Sequence, residues 1–114
     1  MSSNNKGMRD SDIRTVLLRQ LHENNANNTD TIIIEELGLC QGEARVDIAV
    51  INGSIHGYEI KSELDTLKRL PKQLEIYNRT LDSITLIAST KHVEHAFDEI
   101  PVWWGVSEAV YIKS

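Results

Sequence analysis

An alternating apolar pattern on both sides of Asn52-Gly53 is the feature that most constrains the fold. Residues 45–52 place Val46, Ile48 and Val50 at every second position, a period of two that is typical of a strand with one buried face. Because Asn-Gly is the strongest short signal for a hairpin turn, residues 55–62 are expected to pair back antiparallel.

The register of this hairpin decides whether two acidic side chains meet. With a two-residue turn at Asn52-Gly53, Asp47 faces Tyr58, and Glu59 points to the other face of the sheet. With a loop one residue longer, Asp47 faces Glu59, because a shift of one residue reverses every side chain. The sequence leaves both registers open. In the second, two repelling carboxylates need a cation between them, and hard oxygen ligands suit Mg²⁺ or Mn²⁺.

The remaining elements follow from apolar periodicity and breaker residues. The predicted helices cover residues 10–23, 64–81 and 90–99, and further strands are predicted over 31–37 and 84–89. One or two more strands, VWWGV and AVYIK, are predicted within 101–114, with a break around 105–108. Pro71 can start, kink or split the second helix. The order predicts an α/β (α+β) fold: an α-β-β-β-α-β core with a mixed central sheet flanked by helices, and a short C-terminal α-β extension.

Length and composition predict one domain. The chain has 114 residues, too few for two independent cores, so we expect a disordered N-terminal tail over 1–9 and a single domain over 10–114. The single Cys40 excludes an intramolecular disulfide and fits a reducing compartment. No apolar run approaches the roughly 18 residues of a membrane span, so a cytoplasmic protein without a membrane partner is expected.

Charge is distributed unevenly along the chain. The formal net charge is −5, which argues against nucleic-acid binding by bulk attraction alone. Residues 30–60 hold six acidic and one basic side chain, whereas residues 61–79 hold five basic and three acidic ones. If the two segments meet in one site, a bound divalent ion offsets part of the acidic excess where a phosphate approaches.

Several motifs between residues 36 and 77 together resemble a known group. They are Glu36, Arg45-Val46-Asp47, Gly57-Tyr58-Glu59-Ile60-Lys61-Ser62, and Gln73-x-x-x-Tyr77. This set resembles the core of the PD-(D/E)XK nuclease superfamily, and the last motif is similar to an element of its RecB-like branch. The stretch over 44–77 also resembles a family of small bacterial and prophage proteins.

The resemblance implies a restriction-endonuclease-like fold and a Mg²⁺- or Mn²⁺-dependent enzyme that hydrolyses DNA phosphodiester bonds. The implied catalytic residues are Asp47, Glu59, Lys61, Gln73 and Tyr77. The implied metal ligands are Glu36, Asp47, Glu59 and the backbone carbonyl of Ile60, with the choice between Glu35 and Glu36 left open.

Basic residues beside these motifs indicate how DNA is held. Arg45, Lys68, Arg69 and Lys72 are candidates for phosphate contacts, with a solvated helix face as the alternative reading. The expected partner is DNA, and the assembly is a homodimer or a larger nuclease complex. The alternative function is a catalytically silent module of the same fold that binds nucleic acid or a protein partner.

Overall fold

The computed structural model describes residues 9–109. The helices are α1 (Asp10–Asn24), α2 (Leu70–Thr80) and α3 (Thr90–Glu99), and the strands are β1 (Ile32–Leu39), β2 (Ala44–Ile51), β3 (Ile55–Lys61), β4 (Ser83–Ser89) and β5 (Gly105–Ala109). The predicted order of elements is therefore confirmed. Within the described range, no helix has the length and apolar character that crossing a membrane requires.

The five strands form one mixed sheet in the order β1-β2-β3-β4-β5. The first three strands are antiparallel, and β3, β4 and β5 are parallel to one another. Ile48 pairs with Tyr58 and Ile51 with Ile55, which is the longer-loop register that places Asp47 level with Glu59. The loop is held by a hydrogen bond from the Asn52 N–H to the Ser54 carbonyl oxygen.

Helices cover both faces of the sheet. Helix α1 packs on one face through Ile13, Leu17 and Leu21, which lie at helical spacing against Ile48 and Ile60. The other face is covered by α2 and α3. Its core is formed by Val46, Ala49, Leu70, Ile76, Tyr77, Leu81, Ile84, Leu86, Ala88, Ala96 and Trp104. Each helix therefore contributes one apolar stripe to a core, as the periodicity predicts.

Close packing fixes one glycine of β3. A Cβ at Gly57 would lie 2.7 Å from Leu81 Cδ1 and 2.9 Å from Ile84 Cδ1. These are buried side chains of the α2-side core, and such a contact is shorter than van der Waals packing permits. Glycine at this position therefore lets the C-terminal end of α2 lie directly on the sheet.

Two boundaries differ from the prediction. Helix α2 begins at Leu70 rather than at residue 64, because Pro71 stands in its first turn, where a missing N–H costs nothing. The predicted break around 105–108 is instead the strand Gly105–Ala109, which pairs with β4. Residues 102–104 of the predicted strand VWWGV form a turn, which is closed by a hydrogen bond from the Trp104 N–H to the Pro101 carbonyl oxygen. Most of the predicted last strand, AVYIK, and residues 1–8 of the predicted tail lie outside the described residues.

Candidate functional site

A cleft opens between the β1–β2 hairpin and the start of α2. Its volume is about 440 Å³, within the range of ligand-binding pockets. It is lined by Glu36, Gly42, Glu43, Ala44, Arg45, Asp47, Glu59, Arg69, Lys72 and Gln73. We call this set the cleft, its two strand carboxylates Asp47 and Glu59 the floor, and the cations Arg45, Arg69 and Lys72 the rim.

A kink in the β1–β2 ladder positions the floor. Glu35 pairs with Ile48 and Leu37 with Val46, whereas the backbone of the intervening Glu36 adopts a φ of +57°. Val46 packs in the α2-side core and Ile48 in the α1-side core, although residues two apart normally share a face. The strands therefore change faces at this point, beside a non-glycine residue in a left-handed conformation, which is enriched at functional sites.

Asp47 is held on three sides by hydrogen-bond donors. Its Oδ2 accepts the backbone N–H of Ile60 at 2.7 Å, and its Oδ1 accepts Arg14 Nη2 at 2.9 Å. Its carbonyl oxygen accepts Arg14 Nη1 at 3.1 Å. Burial raises the pKa of Asp47 more than these contacts lower it. The carboxylate thus replaces part of the β2–β3 ladder and fixes the end of β3.

Glu59 lies deeper, with 4% of its surface exposed. Tyr77 donates its hydroxyl to Oε1 at 2.7 Å, Gln73 donates Nε2 to Oε2 at 3.1 Å, and Lys61 Nζ lies 3.4 Å from Oε2. Burial, followed by repulsion from Asp47, raises the pKa of Glu59 to about 7, although Lys61 and Tyr77 oppose the rise. The Glu59 carboxyl group therefore titrates near neutral pH.

Tyr77 and Gln73 connect α2 to this carboxylate because they lie four residues apart on one helix face. Burial and the adjacent Glu59 raise the pKa of Tyr77, so the hydroxyl stays protonated and donates a hydrogen bond to the carboxylate. Gln73 Oε1 is buried, and it has no hydrogen-bond partner among the described residues. The structure thus brings together the predicted set Asp47, Glu59, Lys61, Gln73 and Tyr77. No observation tests the catalytic roles that the resemblance implied for them.

The rim differs from the floor in exposure. Arg45, Arg69 and Lys72 are all exposed and line the same cleft. Arg69 lies close enough to Tyr77 to lower the pKa of its hydroxyl, against the larger effect of burial. Lys68, the fourth predicted phosphate contact, is exposed but does not line the cleft.

Sequence reasoning missed Arg14, the cation in closest contact with the acidic residues. Its guanidinium contacts Asp47, Glu36 at 3.1 Å, Asp10 at 3.2 Å and Glu35 at 3.7 Å. Asp10 at i−4 was the one local signal, since that spacing places both side chains on one helix face. The contact with Asp47 spans 33 residues, and no periodicity in the sequence indicates it. Both alternatives, Glu35 and Glu36, contact this arginine, and only Glu36 lines the cleft.

The floor carboxylates are already hydrogen-bonded within the protein. Both oxygens of Asp47 and both oxygens of Glu59 already accept a hydrogen bond from the protein. Ile60, predicted to present its carbonyl oxygen to a metal, contacts Asp47 through its N–H. Across residues 9–109, no group of three or more His, Cys, Asp or Glu side chains is arranged to hold a metal ion. The Mg²⁺ or Mn²⁺ site stays a prediction that this donor set does not favour.

Fold and cleft together define a small mixed α/β domain with a polar, ligand-sized cleft. The chain belongs to the family of bacteriophage P4 protein cII, whose family model matches residues 3–114. It is 30% identical over 101 residues to Protein cII of Enterobacteria phage P4. The match covers 89% of this chain and 38% of that relative, so the chain spans less than two fifths of the relative's length. No solved structure matches the chain closely enough to indicate a relationship.

This family corrects the assignment drawn from the motifs. Membership of the PD-(D/E)XK nuclease superfamily, and with it a DNA-hydrolysing enzyme, was a wrong prediction, because the family that matches is that of protein cII. The expected phage relationship is confirmed. The motif misled because a buried Glu59–Lys61 pair with hydrogen-bonding neighbours is also a structural network. The restriction-endonuclease-like arrangement and the homodimer stay predictions, and the larger nuclease complex has lost its basis.

Proposed function

We propose that this chain is a DNA-binding module of a phage protein, which contacts the phosphate backbone at the rim of the cleft and catalyses no reaction on it. The observation that carries the proposal is the convergence of three exposed cations on one cleft, Arg45 from β2 and Arg69 and Lys72 from the start of α2. Arginine suits bidentate phosphate contact, and lysine adds a point charge.

The pairing of the floor supports the same proposal. Asp47 is paired with Arg14, which it shares with other acids, and Glu59 is paired with Lys61, so each floor carboxylate already has a cationic neighbour within the protein. The rim cations make no hydrogen bond or ion pair through their side chains within the described part of the chain. Their charge is thus available to a ligand, although the net charge of the whole chain is −5.

The test compares two arginines at opposite ends of α2. Arg69 precedes the helix and lines the cleft, whereas Arg79 is exposed in its last turn and lies outside the lining. Binding of a fluorescein-labelled duplex is measured by fluorescence anisotropy over a series of salt concentrations. We expect Arg69→Ala and Lys72→Ala each to raise Kd about tenfold and to reduce the salt slope by about one.

The control variant Arg79→Ala should bind the duplex as the unmodified chain does. Lys68→Ala should have a smaller effect than Arg69→Ala, because Lys68 is exposed beside the cleft rather than in it. Equal losses for Arg69→Ala and Arg79→Ala would mean that DNA contacts the helix through diffuse attraction and not through the cleft. Absence of binding at low salt would refute the proposal.

A further inference from the structure

Arg14 contacts a group of carboxylates on one side of the cleft and offsets part of their charge. We infer that its guanidinium is the permanent counter-ion of this acidic group, so that the cleft excludes divalent metal ions and binds phosphate without them. Phosphate binding by the cleft rests on the proposed function. The exclusion of divalent metal ions does not depend on that function, and it can be tested on the chain alone.

The Arg14 guanidinium makes three hydrogen bonds and lies within ion-pair distance of further carboxylates. Nη2 donates to Asp47 Oδ1 at 2.9 Å, Nη1 donates to the Asp47 carbonyl oxygen at 3.1 Å, and Nε donates to Asp10 Oδ1 at 3.2 Å. Glu36 Oε2 lies 3.1 Å from Nη1. A planar fork of five N–H donors can serve several acceptors in fixed directions. Arg14 therefore bridges α1, β1 and β2 at the kink of the ladder.

Burial makes this bridge persistent. The Arg14 side chain is 20% exposed and that of Asp47 15%, so solvent screens the pair only partly. Helix α1 is also anchored by Ile13 and Leu17, which flank Arg14 and are buried in the α1-side core. Because the helix is fixed by apolar packing, the guanidinium does not need to order itself when a ligand approaches.

A divalent ion would have to compete with this arrangement. It would need oxygens of Asp47 that already accept hydrogen bonds from Arg14 and Ile60. It would also lie close to the positive guanidinium, and like charges at such distances repel. Since Mg²⁺ and Mn²⁺ prefer several oxygen ligands in regular geometry, the floor with Arg14 in place is a poor site for either ion.

The experiment measures Mn²⁺ binding without nucleic acid, by titration calorimetry and by the loss of the free-ion electron paramagnetic resonance signal. We expect no stoichiometric binding to the unmodified chain at submillimolar Mn²⁺. Arg14→Ala should create a one-to-one site that binds Mn²⁺ at least about tenfold more tightly, and the added change Asp47→Asn should abolish it. The matched control is Arg19→Ala, an exposed arginine on the same helix, which should behave as the unmodified chain does.

Two results would overturn the inference. One is stoichiometric Mn²⁺ binding by the unmodified chain that Asp47→Asn abolishes. The other is an Arg14→Ala chain that is folded by circular dichroism and still takes up no Mn²⁺. If Arg14→Ala does not fold, Arg14→Gln retains a hydrogen-bond donor and removes the charge, and the same two outcomes apply to it.

A second experiment distinguishes failure of this inference from failure of the proposed function. Duplex affinity is compared in EDTA and in Mg²⁺ at matched ionic strength, and we expect equal Kd values. Binding that requires Mg²⁺ would overturn the metal-independent cleft while leaving DNA binding intact. Absence of binding in both buffers would overturn the proposed function, and the Mn²⁺ titration would still decide the role of Arg14.

Discussion

The floor and the rim of the cleft differ in burial and in the number of contacts that their charged side chains make within the protein. Each floor carboxylate is buried or half-buried and held by donors of other elements: Asp47 by α1 and β3, and Glu59 by α2. The rim cations are exposed side chains around the same opening. One cluster of charged residues can thus serve two purposes: the floor stabilises the fold, and the rim is exposed for the ligand contact that we propose.

Removal of the Glu59 carboxylate should cause the largest loss of stability. Glu59→Ala leaves the Lys61 ammonium buried without its carboxylate and removes the acceptor of Tyr77 and Gln73. A buried charge that loses its partner typically costs about 3–5 kcal/mol, so we expect a loss of that size in the free energy of unfolding. Urea denaturation followed by circular dichroism measures it. Glu75→Ala, an exposed acid on α2, is the matched control and should change stability by less than about 0.5 kcal/mol.

Protonation of Glu59 is expected to change stability strongly near neutral pH. The folded-state pKa of about 7 lies above the ordinary value of 4.5, so the folded chain binds more protons than the unfolded chain between these values. The contribution of Glu59 to stability is then fully present below about pH 4.5 and is lost as the pH rises through about 7, on the order of 3 kcal/mol in all. Urea denaturation from pH 4.5 to 8 measures the free energy of unfolding of the unmodified chain and of Glu59→Gln. The difference between the two free energies at each pH isolates this effect. An unchanged difference would show that Glu59 titrates normally.

A smaller effect is expected from the hydrogen bond between helix and strand. Tyr77→Phe removes the hydroxyl that lies 2.7 Å from Glu59 Oε1 and 3.2 Å from the Arg45 carbonyl oxygen. The ring still fills the core, so the loss should be about 1–3 kcal/mol, typical of a buried acceptor that loses its donor. Thermal unfolding measures it. If the loss equals that of Glu59→Ala, the Tyr77 hydroxyl matters as much as the carboxylate it contacts, and the expected order of effects is wrong.

The smallest effect on stability is expected at the rim. Arg69→Ala and Lys72→Ala should each change the free energy of unfolding by less than about 0.5 kcal/mol, while they weaken duplex binding. Thermal unfolding and anisotropy on the same samples measure both quantities. A large loss of stability in either variant would erase the distinction between floor and rim.

Much of the architecture could be predicted because it depends on local patterns. Alternation and Asn52-Gly53 predict the β2–β3 hairpin, and the order of the elements follows from periodicity. The sequence also predicts that Asp47, Glu59 and Lys61 lie near one another in the second register. The start of α2 was misplaced by six residues, because apolar spacing continues through residues 64–69 while the backbone there does not form a helix.

Assignment by motif failed for a physical reason. Glu59-x-Lys61 with Gln73 and Tyr77 is a pattern of residue types, and it does not specify what the carboxylates bind. In this chain they accept hydrogen bonds from the protein itself, and the family is that of bacteriophage P4 protein cII. Residues common to a catalytic site and a buried polar network cannot be told apart by spacing alone.

The sequence alone predicts most of the elements and their order, because these depend on side-chain periodicity along the chain. The hairpin register, the kink at Glu36 and the pairing of Arg14 with Asp47 arise only when the elements pack together. The register differs by a single residue between two acceptable turns, and the Arg14–Asp47 contact joins positions 33 residues apart. Such contacts form only when α1 packs on the sheet, so the charge of the cleft is a property of the folded chain.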